Sequence, residues 1–175
     1  AVYPETRGSA DDLLKAADAA MYTAKTLGRN NVQLVGAVDP IVGARLALAA
    51  ELQRALERGE LALHFQPQYS IAGNRLVAYE ALLRWQRRQG TLVLPGDFVP
   101  LLEENGRIVA VGEWVIDQAC AQLAAWRAAG QQDIRVAVNL SARQLERPGL
   151  VAHVRAAIDR HRVPARALEV EITES

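Results

Sequence analysis

Cysteine is almost missing from this sequence: Cys120 stands alone. One cysteine excludes an internal disulfide and any zinc site built on cysteines. Cys120 lies among alanines on an expected helix, where it reads as a small core residue. Such usage suits a reducing cytosol, and a cytoplasmic location is expected. No apolar stretch reaches the roughly 20 residues needed to span a bilayer. No signal peptide is visible, although the first residues read like the middle of a domain, and membrane segments could lie upstream in a longer protein. Blocks of lysine and arginine are also missing. Their 20 residues are balanced by 20 aspartates and glutamates, for a formal net charge of +0. No long-range field is available for nucleic acid or anionic membrane, so binding to DNA or RNA polymers is not expected. There is no internal repeat and no low-complexity tract.

What is present is apolar material in quantity. Half of the 175 residues are hydrophobic, which allows a real core and argues against disorder. The length suits one domain or parts of two. Ser9-Ala10-Asp11-Asp12 reads as a helix start. Apolar residues then follow at Leu13, Leu14, Ala17, Ala20, Met21 and Ala24, with Gly28 as the stop. Val32 to Val35 reads as a short strand. A helix rich in Ala, Leu, Glu and Arg is expected from Ile41 to about Glu60, bounded by Pro40 and Gly59.

Leu61 to Gln66 alternates like a strand, Ala72-Gly73-Asn74-Arg75 supplies a turn, and Leu76 to Leu83 is a second strand, giving an antiparallel hairpin. Asp97 to Glu104 reads as a short helix. A longer one runs from Val109 to Ala129, with a stripe of Val111, Trp114, Val115, Ala119, Leu123 and Trp126 closed by Gly130. Ile134 to Leu140 is a strand, Val151 to His161 a helix, and Leu168 to Thr173 a strand. Alternation of this kind predicts an α/β fold with a parallel sheet and covering helices.

Side chains alternate between the faces of a strand. Asn139 and Glu171 therefore fall on faces opposite the aliphatic Val136–Val138 and Val170–Ile172 sets. Those aliphatic faces are expected to meet helices. Glu80 shares its face with Ala78. In a β/α barrel, the C-terminal strand ends carry the active site. Two glutamates and an asparagine converging there suit a hard cation such as Mg²⁺ or Mn²⁺. Taken singly, each of the three is more readily a rim residue making local hydrogen bonds. Only their joint pattern points to a site.

The run Glu80-Ala81-Leu82-Leu83-Arg84-Trp85, with Val138 to Arg143 and Glu169 to Glu174, resembles the motifs of EAL-domain phosphodiesterases, which hydrolyse cyclic di-GMP. The ordered resemblance covers about Leu46 to Ser175. It takes in a Phe65-Gln66-Pro67 strand and a Phe98-Val99-Pro100-Leu101 helix. It implies the N-terminal part of an EAL-type, TIM-like β/α barrel whose first sheet connection is irregular. By motif position it implies Glu80, Asn139 and Glu171 as metal ligands, with Mg²⁺ or Mn²⁺ as cofactor. Glu174 ranks lower, because it falls on the opposite face from Glu171. The resemblance further implies that Gln66 and Arg84 contact the dinucleotide and that Pro100 lies against a guanine base. A guanidinium suits phosphate, although Arg84 could equally form a rim salt bridge and Gln66 could cap backbone groups. Trp85 and Trp114 read as core. His64, His153 and His161 match no ligand position.

Ala17 to Lys25 and Gly28-Arg29-Asn30 resemble the last helix of a GGDEF domain, the diguanylate cyclase module. The implied organisation is residues 1–37 as the C-terminal end of that domain, 38–50 as a linker, and 51–175 as the N-terminal part of an EAL domain. The resemblance implies metal-dependent hydrolysis of cyclic di-GMP to linear pGpG by the parent domain, in a bacterial signalling protein, and a homodimer through the EAL domain. A catalytically inactive cyclic di-GMP sensor is the rival. The family's Asp-Asp-Phe-Gly motif, a later lysine and a later glutamate do not occur before Ser175, so catalytic residues are expected downstream. The chain alone is accordingly expected to be inactive, and either unstable or associated with another chain.

Overall fold

The small polar start at Ser9 folds as its chemistry dictates. Ser9 Oγ and the Ser9 N–H both donate to Asp12 Oδ2 at 2.8 Å, and the Asp12 N–H returns a 3.3 Å bond to Ser9 Oγ. This reciprocal cap satisfies the open end of helix α1, Ala10–Thr26. The computed structural model describes residues 9–26 and 40–172. Gly28 and the strand expected at Val32 to Val35 lie outside the described residues, as do Thr173 and Glu174. The chain divides into two units, Ala1–Glu51 and Leu52–Ser175.

In the first unit the apolar stripe of α1 is rotated from its expected position. Ala16 and Ala19 are buried, whereas Leu14 and Met21 are 66% and 52% exposed. The buried arc lies on the alanine side of the helix, where small side chains permit close approach. Arg45 sits over the Tyr22 ring, 5.1 Å from its centroid. Helix α2, Pro40–Leu52, is shorter than expected. Beyond it the chain passes into turns. The Gly59 N–H bonds the Leu56 carbonyl at 3.2 Å and the Glu60 N–H bonds the Ala55 carbonyl at 2.9 Å. With Gly59 at φ +65°, the glycine closes a turn seven residues past the helix, and not the helix itself as expected.

The second unit is built on a mixed sheet. Strands β1, Leu61–Ser70, and β2, Arg75–Gln86, form the expected antiparallel hairpin. A bulge interrupts it between Gln68 and Tyr69. A two-residue strand β3, Leu92–Val93, which the sequence did not suggest, pairs with the end of β2. Strand β4, Arg135–Leu140, runs parallel to β2, and β5, Leu168–Ile172, runs parallel to β4. The order is β1-β2-β4-β5. Helices α3, Pro95–Glu104, α4, Ile108–Ala128, and α6, Leu150–His161, accompany the strands. A four-residue helix α5, Ala142–Leu145, follows β4 directly.

Core and sheet meet along α4. Val111, Val115, Ala119 and Leu123 are buried, as the stripe requires. Trp126 stacks on Tyr79 (centroids 4.4 Å apart) and meets Phe65 edge-on at 4.9 Å. Such aromatic pairs contribute about 0.5–1.5 kcal/mol beyond the area they bury. By length and mean hydropathy (21 residues, 1.2) α4 is apolar enough to cross a membrane. The scattered Glu113, Asp117 and Arg127 hide that from a search for an unbroken apolar run. Here it is the central helix of the unit, packed on β4 and α6. Val136, Val138 and Leu140 are buried as expected. On β5 the expectation fails past Leu168: Val170 and Ile172 are 44% and 63% exposed. Among the described residues of β5, helix cover ends with Leu168.

Candidate functional site

Register brings the three candidate ligands to one face. In the β4–β5 ladder Asn139 lies directly opposite Glu171. In the β2–β4 ladder Glu80 lies opposite Ala137, two positions before Asn139 and on the same face. The Asn139 side-chain N–H donates to Glu80 Oε1 at 2.8 Å. Asn139 and Glu171 stand near the ends of their strands. Glu80 is mid-strand, because β2 continues to Gln86 to reach β3.

Glu80 and Asn139 are half-buried and Glu171 is exposed. Their bond leaves Glu80 Oε2 and Asn139 Oδ1 as oxygen donors, with Glu171 in register opposite Asn139 on the next strand. Two carboxylates and a carboxamide on neighbouring strands form a donor set of the kind that fits a hard divalent cation.

Gln66 faces Glu80 directly across the hairpin and is exposed. Arg84 follows Glu80 by four positions on the same face, half-buried, and its guanidinium donates to the Leu83 carbonyl at 2.9 Å. Pro100 lies on α3, at the wall of a cavity of about 500 Å³ that Glu80 and Asn139 also line. Arg84 and Gln66 are not among that cavity's walls. The candidate contacts therefore flank the glutamate from two sides, one across the hairpin and one across the cavity.

Two supporting features escaped the sequence reading. The first is the junction after Asn139. The Ser141 N–H donates to Gln144 Oε1 at 3.1 Å, and the Gln144 N–H donates to the Ser141 carbonyl at 3.0 Å. The pair is a capping box whose return contact to Ser141 Oγ is too loose for an aligned hydrogen bond. Its signal was available, since Ser followed three residues later by Gln marks a helix start. Gln144 is buried against Gly112, where a Cβ would come within 1.8 Å of its Nε2. The second is Glu60, only 8% exposed, which accepts the Trp85 indole N–H at 3.2 Å. No local pattern announces a pairing across 25 positions.

The histidines behave as expected of structural residues. His153 Nε2 lies 3.1 Å from the Glu113 carbonyl, and His161 Nε2 lies 3.1 Å from Asp117 Oδ1. His64 is exposed. Burial, with Asp117 as a lesser cause, pushes the Cys120 thiol up to about 11, so it is held as the inert core group the sequence suggested.

Known proteins resemble this chain. Residues 49–175 match the family model of the EAL domain. The chain is 43% identical over 176 residues to the bifunctional diguanylate cyclase/cyclic di-GMP phosphodiesterase MucR of Pseudomonas aeruginosa, covering 100% of the chain and 26% of that protein. It is 36% identical over 174 residues to the cyclic di-GMP phosphodiesterase NbdA of the same organism, covering 99% of the chain and 22% of that protein. The chain thus spans about a quarter of these relatives' length. Among solved structures it resembles a MucR phosphodiesterase in complex with c-di-GMP, at 46% identity and a TM-score of 0.71, over 74% of this chain and 52% of that one. The FimX EAL domain of Pseudomonas aeruginosa bound to c-di-GMP aligns at 33% identity and a TM-score of 0.62, over 70% of this chain and 48% of that one. With its glutamate–asparagine pair on the sheet face and a domain match over residues 49–175, the chain belongs to the EAL-domain family.

Proposed function

We propose that the protein carrying this chain hydrolyses cyclic di-GMP to linear pGpG with a divalent metal, Mg²⁺ or Mn²⁺. The observation that carries this is the Asn139–Glu80 hydrogen bond, with Glu171 in register beside Asn139. Glu80, Asn139 and Glu171 hold the metal. When bound, the metal neutralises phosphate charge and lowers the pKa of water. Arg84 gives up its bond to a backbone carbonyl and takes a phosphate oxygen, a better partner for a guanidinium. Gln66 holds the dinucleotide from across the hairpin, and Pro100 lies against a guanine. Water adds to one phosphorus, one P–O ester bond breaks, and the leaving ribose oxygen takes a proton, which opens the ring.

Residues 1–37 are read as the end of a GGDEF domain, 38–50 as a linker and 51–175 as EAL domain. Support comes from the full-chain likeness to a protein named as both cyclase and phosphodiesterase. A homodimer through the EAL domain and a cytoplasmic position of this part complete the proposal.

Chromatography of cyclic di-GMP incubated with the purified protein and Mn²⁺ or Mg²⁺ tests it. The expected result is pGpG, abolished by a chelator. Tight binding without product would overturn hydrolysis and leave a nucleotide sensor.

A further inference from the structure

Glu60 is a buried acid with no place in the chemistry above. A carboxylate at 8% exposure must be compensated, and its partners lead toward the substrate-binding segments. Oε2 accepts the Trp85 indole N–H at 3.2 Å. Oε1 lies 3.3 Å from Arg88 Nε and 3.8 Å from Arg58 Nη1, ion pairs whose geometry falls short of an aligned hydrogen bond. The backbone adds a further tie, the Gln86 N–H bonding the Glu60 carbonyl at 2.8 Å.

Trp85 is fully buried where three strands meet, opposite Leu61 on β1 and Val93 on β3. Its ring meets Phe98 of α3 edge-on, with centroids 5.9 Å apart. Arg84 immediately precedes Trp85, and Pro100 stands two residues beyond Phe98. One indole therefore fixes two of the three segments assigned to the nucleotide, and one carboxylate fixes the indole.

We propose that Glu60 is a positioning residue for substrate binding, holding Trp85 and through it the end of β2 and the start of α3. Glu60 also closes the glycine turn that precedes β1, so it ties that turn to the site. This rests on the phosphodiesterase reading.

Steady-state kinetics on the full-length protein test it. Glu60→Ala is expected to raise KM for cyclic di-GMP roughly tenfold or more, within the range that misplaced binding groups cost, while kcat stays within about twofold. Glu60→Gln, which keeps an acceptor for the indole N–H, is expected to restore most of the wild-type KM. A merely structural role would instead lower the active fraction, and so kcat, with KM unchanged. If Glu60→Ala does not fold, Trp85→Phe decides. It removes the indole N–H together with part of the ring, and a raised KM with kcat maintained supports the inference while an unchanged KM overturns it. A wild-type protein that cleaves, beside a Glu60→Ala variant with unaltered KM, overturns this inference alone. A wild-type protein that neither cleaves nor binds the nucleotide overturns the underlying reading and this inference with it.

Discussion

Asn139 donates its side-chain N–H to Glu80 Oε1 at 2.8 Å across 59 positions of sequence. The bond does two things. It fixes the carboxylate on the sheet face without neutralising it, and it spends the nitrogen of Asn139, so the oxygen remains for a cation. Glu80→Gln tests the dependence. Its amide would place a second N–H where an oxygen donor is needed. The cyclic di-GMP kcat/KM is expected to fall by more than the roughly 10–100-fold that losing an outer-shell partner of a metal costs. The fold should be intact by circular dichroism. Mn²⁺ titration followed by electron paramagnetic resonance should show weakened binding in parallel.

Gly112 gives a prediction with an unusual sign. An alanine in place of a helical glycine normally stabilises by about 1 kcal/mol. Here the new methyl would lie 1.8 Å from Gln144 Nε2, and Gln144 is buried and tied to Ser141. Overpacking of this kind costs roughly 1–3 kcal/mol. Gly112→Ala is therefore expected to lower the urea midpoint. Adding Gln144→Ala should recover part of the loss, a coupling that a double-mutant cycle would read directly.

Much of this architecture was legible because it is local. The turn glycines, the cap at Ser9 and the stripe of α4 each declare themselves within a few residues. Strand alternation placed Asn139 and Glu171 each opposite its own strand's aliphatic set, since the period of two leaves no choice once a strand is granted, while register brought them side by side. What escaped was set by distance. β3 is two residues long and exists only as the partner of β2. Glu60 finds Trp85 only after the hairpin has formed, and its own neighbourhood reads as surface. The helix expected through Glu60 stops at Leu52, where turn geometry overrode a run of good helix formers. Leu14 and Met21 mislead for the opposite reason, since a stripe drawn by residue type cannot say which of its edges is covered.

Asp117 bridges α4 and α6. Burial by itself would raise its pKa, but hydrogen bonds from His161 and Arg160 outweigh that and hold it below the usual value of 3.8. A depressed carboxylate contributes stability above its unfolded pKa and loses it as pH falls through the folded one. Wild type is thus expected to exceed Asp117→Asn in stability near neutral pH, by about 0.2–1 kcal/mol as for partly exposed pairs. The gap should close below about pH 4. Urea midpoints of the two proteins between pH 3 and 7 measure this, and a constant gap across that range would refute it.

Cys120 supplies a probe of the core that needs no mutation. It is fully buried on α4, and its thiol is pushed up to about 11. The nucleophile in thiol chemistry is the thiolate, so at pH 8 both access and ionisation are denied. The native protein is expected to resist iodoacetamide and to react fully once unfolded in guanidinium. Labelling followed by mass spectrometry across a denaturant series should therefore trace the opening of the α4–α6 interface, where Asp117 sits one turn away. If α6 detaches before the sheet melts, labelling will precede the loss of the native signal of the three tryptophans. If the unit unfolds in one step, the two transitions will coincide.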